Sequence, residues 1–515
     1  MNGKKKLVAG LILAAVLIAL IGGVAWCLTQ YDMVDFHFYP KNAAALDLRD
    51  RDISVEHYNK LHSKMPGCQI RWNIPFQGTT YPDETTDLTV DTLSSEDVAV
   101  LDAFTRLETV HAEGCRDYAQ LLALEDRRPE ITVLFQVSVD GTDYPGTAAE
   151  LRVGGITQEE LALLPYLRKL TGVVVTGDGS GENLAQLQAY CQENGLSFNL
   201  EVGGKKIPGD TKAVKLIDAE DGDLELLPLL TSMQSLHLVN PKASAERVLA
   251  LDKAYPQVQV TWEQEICGKS FAREDTEIDL SDTTIESLEQ VEQGMAYFPE
   301  AEQVFLGEQK MDNEEIAAYR ERVREQYKVV WIVRCGEKLP TRTDATSFMP
   351  SRDGVGNFKD ADSYNLRYCE DMIAIDVGHM DVRNIEFVAY MPNLKYLILA
   401  HTGVRDITPI SNCKNLVFLE LDWSPIEDYT PLQGCTALED LNIGKYGADV
   451  APICEMPWLK NVWCVFRPGA AGRIAMALPD THVVASGNAT VSSGWRNLPN
   501  YYAMRDALNM FYMKW

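Results

Sequence analysis

The chain has 515 residues with 47 Lys+Arg against 75 Asp+Glu, a formal charge of −28. So acidic a chain repels phosphate backbones, which excludes a general nucleic-acid binder. The length allows about three domains of ordinary size, and with 46% apolar and 24% charged residues the composition is that of a folded globular protein and not of a disordered one.

Lys4, Lys5 and Lys6 precede residues 7–28, which contain no charged side chain. A run of that length crosses a bilayer core of ~30 Å as a helix at ~1.5 Å per residue. A cleaved signal has a shorter apolar region and small residues before its cut. Here Trp26 interrupts Ala25-Trp26-Cys27, so the segment reads as an uncleaved anchor. The lysines keep residues 1–6 in the cytoplasm, and the chain beyond the anchor is expected outside. Residues 29–44 follow as a short aromatic stalk. Eleven cysteines are scattered without a CxxC pair or zinc-ligand spacing, which predicts thiols without a complete disulfide framework.

Residues 45–341 carry a long period. Trp72, Phe135, Phe198, Trp262 and Trp331 are spaced by 63, 63, 64 and 69 residues. Each aromatic stands in a strand-like run, and a glycine follows at Gly78, Gly141, Gly204, Gly268 and Gly336. Proline closes four of these stretches, at Pro82, Pro145, Pro208 and Pro340. Glycine permits positive φ and proline fixes the exit, so each tip reads as a turn. The spacing predicts two repeat turns and one hairpin excursion per unit. Leu46 opens a shortened first unit. Residues 342–371 read as a polar connecting loop and repeat entry.

A shorter period runs through residues 372–466. Met372, Leu394, Leu416, Leu438 and Leu459 are spaced by 22, 22, 22 and 21 residues. Leu394, Leu397 and Leu399 make an LxxLxL strand, echoed at Leu416, Leu419 and Leu421 and at Leu438, Leu441 and Ile443. Turns of Asp-x-x-Pro type follow at Asp406, Asp428 and Asp449. Units this small cannot bury a core alone, so they must stack. Cys369, Met391, Cys413, Cys435 and Met456 form one column, read as soft core fillers rather than reactive thiols.

This stretch resembles the leucine-rich repeats of bacterial surface proteins, the internalin-like class with 22-residue units. The resemblance implies an α/β solenoid, horseshoe-like, behind a transmembrane helix, and a role in protein binding or adhesion. The consensus asparagine after the strand is replaced by Thr402, Ser424 and Tyr446, which leaves the turn geometry open.

In such strands the non-leucine positions face outward on the inner curve. Here they hold Tyr396, Ile398, Phe418, Glu420, Asp440, Asn442, Asn461 and Trp463, with His401, Trp423, Tyr446 and Phe466 just beyond. Strands ~4.8 Å apart would join them in one aromatic and acidic patch. Exposed aromatic arrays mark recognition surfaces. The ligand-binding candidates are therefore Tyr396, Ile398, His401, Phe418, Glu420, Trp423, Asp440, Asn442, Tyr446 and Trp463. The alternative is that loops or the tail, residues 467–515, fold over this face. That tail breaks the period, and Tyr501, Met504, Leu508 and Phe511 fall on one helical face. It reads as a cap, although a partner-binding helix would look similar.

No catalytic pattern stands out: GxSxG, HExxH and the phosphate-binding loops are missing. The glycine-rich stretch 177–181 reads as a rim loop, and the acidic stretch 218–223 as a turn without calcium-loop spacing. His379 and His401, 22 residues apart, are a conceivable metal pair. Trp423 and Lys445 continue their column and favour a solvent-facing row instead. The function expected is non-enzymatic recognition of a protein or envelope glycan at the cell surface, with no cofactor or metal. A structural envelope scaffold is the rival, and a wall-polymer hydrolase using paired carboxylates a more distant one.

Overall fold

A computed structural model describes residues 2–177, 181–487 and 490–510. The glycine-rich stretch therefore lies outside the described residues at 178–180, as does Phe511. The chain divides into two compact units, residues 1–236 and 237–515.

The first unit opens with the helix Asn2–Gln30. Within it Leu7–Cys27 is long and apolar enough to cross a membrane, and none of it is buried. The segment read as a stalk is a hairpin, Tyr31–Val34 paired antiparallel with His37–Pro40. Beyond it the backbone alternates between parallel turns and hairpins. Asp87–Thr89, Thr109–His111 and Thr132–Leu134 lie side by side in parallel. The chain then doubles back through Gln136–Val139 and Thr142–Pro145. Glu150–Val153, Gly172–Val175 and Ser197–Val202 repeat the parallel layer, and Lys205–Pro208 returns along the last strand.

The hairpin tips explain the spaced glycines. Gln77 and Gly78 have φ of 50° and 77°, Asp140 and Gly141 51° and 68°. Two successive left-handed residues are what a tight hairpin needs to match the strand twist. A second glycine requirement was not legible in the period. A Cβ on Gly146 would stand 2.3 Å from the Phe135 ring, because the returning chain crosses that ring.

The second unit continues the same unit plan with Glu277–Asp279, Gln303–Phe305 and Lys328–Val330 in parallel, followed by a hairpin of Ile332–Arg334 and Pro340–Arg342. Then comes one parallel seven-stranded sheet: Ser347–Phe348, Ala374–Asp376, Tyr396–Ile398, Phe418–Glu420, Asp440–Asn442, Asn461–Trp463 and His482–Val484. The register is uniform, with Leu397 opposite Leu419 and Leu419 opposite Leu441. This is a leucine-rich-repeat-like solenoid of α/β units. It differs from the sequence reading at both ends. Ser347–Phe348, inside the polar stretch read as a loop, pairs with Ala374–Ile375. Residues His482–Val484, inside the tail, add a seventh strand, reached through the helix Pro468–Ala477.

Opposite the sheet each turn closes through a short 3-10 helix, Thr408–Asn412 and Thr430–Gly434 among them. The Asp-x-x-Pro turns start these helices. Thr408 N donates to Asp406 Oδ1 and Thr430 N to Asp428 Oδ1, both at 2.8 Å, so each aspartate satisfies a donor the helix leaves over. Hydroxyls replace the consensus asparagine. Thr402 Oγ1 and Ser424 Oγ both donate to Leu399 O, at 2.7 and 2.6 Å, and Ser424 Oγ accepts from Thr402 N at 3.2 Å. Leu394, Leu416 and Leu438 stack in a continuous buried core with the sulfur column. Within that column the Cys413 and Cys435 thiols donate to Val388 O and Ile410 O, one turn back. Burial pushes these thiols up, Cys413 to about 12 and Cys435 to about 11, so they behave as unreactive fillers.

Candidate recognition face

Parallel register puts the outward side chains of the seven-stranded sheet in columns. Ala374, Tyr396, Phe418, Asp440 and Asn461 form one; Asp376, Ile398, Glu420, Asn442 and Trp463 form another. Most of these side chains are not open to solvent. Phe418 and Asn442 have no exposed surface, and Ile398, Glu420, Asp440 and Trp463 are also buried, while Tyr396 is half-buried.

The cover is the tail. Trp495, on the 3-10 turn Trp495–Asn497, lies 4.6 Å from the Phe418 ring and 5.3 Å from the Trp463 ring, centroid to centroid. Tyr501 and Met504, on the helix Pro499–Ala507, join Ile398, Phe418 and Trp463 in one apolar cluster with Leu508 and Met510. Polar groups fix the docking. Trp495 Nε1 donates to Glu420 Oε2 at 2.8 Å, Asn500 Nδ2 to Asp440 Oδ2 at 3.0 Å, and Trp463 Nε1 to Ser493 Oγ at 2.7 Å. The tail therefore folds across the strand face as well as extending the sheet. Its amphipathic spacing at Tyr501, Met504 and Leu508 was the sequence signal for this contact. Trp495, outside that spacing, gave none.

Several carboxyls of the strand face and its turns are buried. Burial pushes Glu420 up to about 7, an effect the Trp495 N–H offsets only in part. Burial likewise pushes Asp376 and Asp422 up to about 6, against the N–H groups of Gly378 for the first and of Trp423 and Lys445 for the second. Asp440 is raised by the same cause, opposed by Asn461 and Asn500. Two buried side chains of the strand ends hold the turns that follow: Asp376 Oδ1 accepts from Gly378 N at 2.8 Å and Asn442 Oδ1 from Gly444 N at 3.2 Å. Such Asx contacts support left-handed backbone.

Those turns carry the accessible part of the face. His379, His401, Trp423 and Phe466 have φ of 62°, 55°, 60° and 70°, a conformation disfavoured for bulky residues. It swings their side chains out along the rim where the strands end. The His379 and His401 rings stack at 4.4 Å with 15° between planes, and His401 stacks on Trp423 at 5.3 Å and 11°. Lys445 Nζ lies 4.2 Å above the Trp423 ring on the far side, and Tyr446 meets that ring edge-on at 5.7 Å. The row is thus a stack of rings whose faces cover one another and whose edges meet solvent. Burial and the neighbouring His379 lower the His401 pKa, which favours neutral imidazole and a closely stacked pair. Tyr446 and Phe466 are exposed by 46% and 55%.

Of the ten candidates, His401, Trp423 and Tyr446 stand on this rim. Ile398, Phe418, Glu420, Asp440, Asn442 and Trp463 lie beneath the tail with Tyr396 at its edge. His379, Lys445 and Phe466 belong to the row and were outside the predicted set, although the repeat spacing alone aligns them. Among the described residues no group of three or more His, Cys, Asp or Glu side chains is placed to hold a metal ion. The acidic stretch closes on itself, with Glu220 N donating to Asp223 Oδ2 at 2.9 Å at the start of the helix Asp221–Glu225.

No protein-family description matches the chain, and no curated protein does. Among solved structures it is similar to an internalin of Listeria monocytogenes, at 14% identity over 75% of this chain and 89% of that one, with a TM-score of 0.21. It is also similar to a leucine-rich-repeat protein of Leptospira interrogans, at 12% identity over 77% and 93% of the two chains and a TM-score of 0.22. The mouse RP105/MD-1 complex matches at 14% identity over 86% and 77%, with a TM-score of 0.23. These likenesses are weak and single out no one repeat type. The solenoid assignment stands on the register and hydrogen bonding of the sheet itself.

Proposed function

We propose that the chain is a membrane-anchored, non-enzymatic surface protein that recognises a protein ligand through the rim row His379, His401, Trp423, Lys445 and Tyr446. The observation that carries this reading is the stack of His379, His401 and Trp423, held in left-handed turns, with the exposed Lys445 and Tyr446 beside it. Its side chains are ordered before any ligand arrives, which lowers the entropic cost of association. Its solvent-facing edges alternate apolar C–H with N–H and O–H groups, the amphipathic character that makes Trp and Tyr frequent anchors at protein interfaces. A sugar ring stacks on an aromatic face, and here the faces of His401 and Trp423 are taken. An envelope glycan is the second reading, supported by the open rings of Tyr446 and Phe466. In either case the anchor helix would leave residues beyond it outside the cell, in line with the lysines that precede it. Internalin-like repeats are part of this proposal, on the 22-residue spacing.

The test uses the full chain in lipid nanodiscs, displayed against purified envelope proteins and against a panel of wall-derived oligosaccharides. The comparison is a His401→Ala/Trp423→Ala/Tyr446→Ala variant whose thermal transition matches the parent. A protein ligand bound by the parent and weakened at least tenfold in the folded variant supports the proposal. Equal binding by both removes the rim from consideration and favours a scaffold role. Binding confined to oligosaccharides selects the glycan reading.

A further inference from the structure

The hairpin that follows the anchor helix has an inward face and an outward face of opposite character. Val34 and Tyr39 point inward, with 3% and 2% of their surface exposed. Met33 and Phe38 are directly paired across the strands, so they share the other face, and they are 43% and 54% exposed. The two-residue tip is Asp35-Phe36, with φ of 43° and 66°. Hairpin tips of this kind are usually made from Asn, Asp and Gly. A phenylalanine in left-handed backbone is disfavoured by its own Cβ, and this one leaves 92% of its surface exposed.

The inward side is firmly held, so the outward side has a fixed direction. Asp35 Oδ1 accepts from Lys60 Nζ at 3.2 Å, and Asp35 Oδ2 stands 3.2 Å from His57 Nδ1. His57 Nε2 is 2.8 Å from the Tyr39 hydroxyl, and Lys64 Nζ donates to Met33 O at 2.8 Å. His57, Lys60 and Lys64 all belong to the helix Val55–Lys64, which grips the hairpin from behind. Among the described residues nothing comparable covers Met33, Phe36 and Phe38.

Chain continuity says what does. The helix ends at Gln30 and the first strand starts at Tyr31 with no linker. The apolar span ends at Cys27, so at ~1.5 Å per residue the hairpin begins only ~5–6 Å beyond the hydrocarbon. Four-residue strands reach ~13 Å at ~3.3 Å per residue. The interfacial layer on each side of the core is ~5–7 Å thick, so a hairpin lying along the bilayer keeps its whole length in that layer. Aromatic rings concentrate there.

We propose that the hairpin 31–40 lies in the headgroup layer of the membrane that carries the anchor, with Phe36, Phe38 and Met33 inserted at the acyl boundary. It would set the tilt at which the first unit leaves the bilayer. This rests on the reading of residues 7–28 as a membrane anchor and is independent of the rim row.

The experiment places the full chain in phosphatidylcholine vesicles, with or without phospholipid brominated at the upper acyl carbons. Phe36→Trp and Phe38→Trp are made separately, and the emission each adds to that of the nine native tryptophans is taken by difference from the parent. The added emission should be blue-shifted, fall by half or more with brominated lipid, and resist aqueous iodide. Emission that ignores brominated lipid and is quenched by iodide like free indole overturns the proposal while leaving the anchor intact. Failure of the parent to float with vesicles overturns the anchor reading and this one together. If Phe36→Trp does not fold, Phe38→Trp, on the same face and away from the strained tip, decides alone.

Discussion

Two columns on one sheet, three residues apart in each repeat, have opposite fates. Ile398, Glu420, Asn442 and Trp463 end the strands and are sealed beneath the tail, whereas His401, Trp423 and Phe466 begin the next turn and stay in contact with solvent. The difference comes from the backbone. Extended strand residues point straight out of the sheet, where a strap can lie across them. Left-handed turn residues point sideways along the rim, which the strap does not reach. Large aromatic side chains occur in both columns, Trp463 in the first and Trp423 and Phe466 in the second, so an aromatic residue by itself does not separate cover from recognition surface.

The largest effect that would break this comparison is removal of the cover. Trp495 is fully buried between Phe418 and Trp463 and hydrogen-bonded to Glu420. Trp495→Ala should cost about 3–5 kcal/mol in chemical denaturation of the second unit, the range for a large buried aromatic. Loss of less than about 1 kcal/mol would mean that the tail rests on the sheet without sealing it.

Glu420 sharpens the comparison through pH. Its folded pKa of about 7 lies above the ordinary 4.5, so the proton favours the covered state. Its contribution is complete below about pH 4.5 and is lost as pH rises through about 7. Glu420→Gln keeps an acceptor for Trp495 and removes the titration. The variant should match the parent near pH 4 and exceed it by up to about 3 kcal/mol at pH 8. Denaturation midpoints across that range check it, and parallel curves for the two proteins would contradict the placement of this carboxyl.

Smaller effects separate the turn from the ring it carries. Ser424→Ala removes a buried hydroxyl that both donates to Leu399 O and accepts from Thr402 N, and should cost about 1–2 kcal/mol in thermal unfolding. Trp423→Gly should change stability by less than about 1 kcal/mol, because relief of left-handed strain offsets lost ring contacts. Ligand binding, measured on the same protein, should nonetheless fall sharply.

The repeat architecture was legible because stacking demands identity at fixed spacing. Leu394, Leu416 and Leu438 must be alike to lie above one another, and Gly78 and Gly141 must be glycine to turn. The covering of the strand face was only half legible. The spacing of Tyr501, Met504 and Leu508 announced an amphipathic helix but not its address, since one apolar stripe fits a solenoid end and a sheet face equally well. The strands Ser347–Phe348 and His482–Val484 were missed because edge turns bury less and carry no leucine signature. The aromatic hairpin at residues 31–40 was read as a stalk because its tip holds Phe36 where a turn normally holds glycine.

The most direct test is hydroxyl-radical footprinting of the full chain, read residue by residue. Covered and open columns predict rapid oxidation at Trp423, Tyr446 and Phe466, and protection of at least tenfold at Phe418, Trp463 and Trp495. Oxidation of Phe418 and Trp463 at the rate of Trp423 would show the strand face open, and would return the recognition surface to the sheet itself.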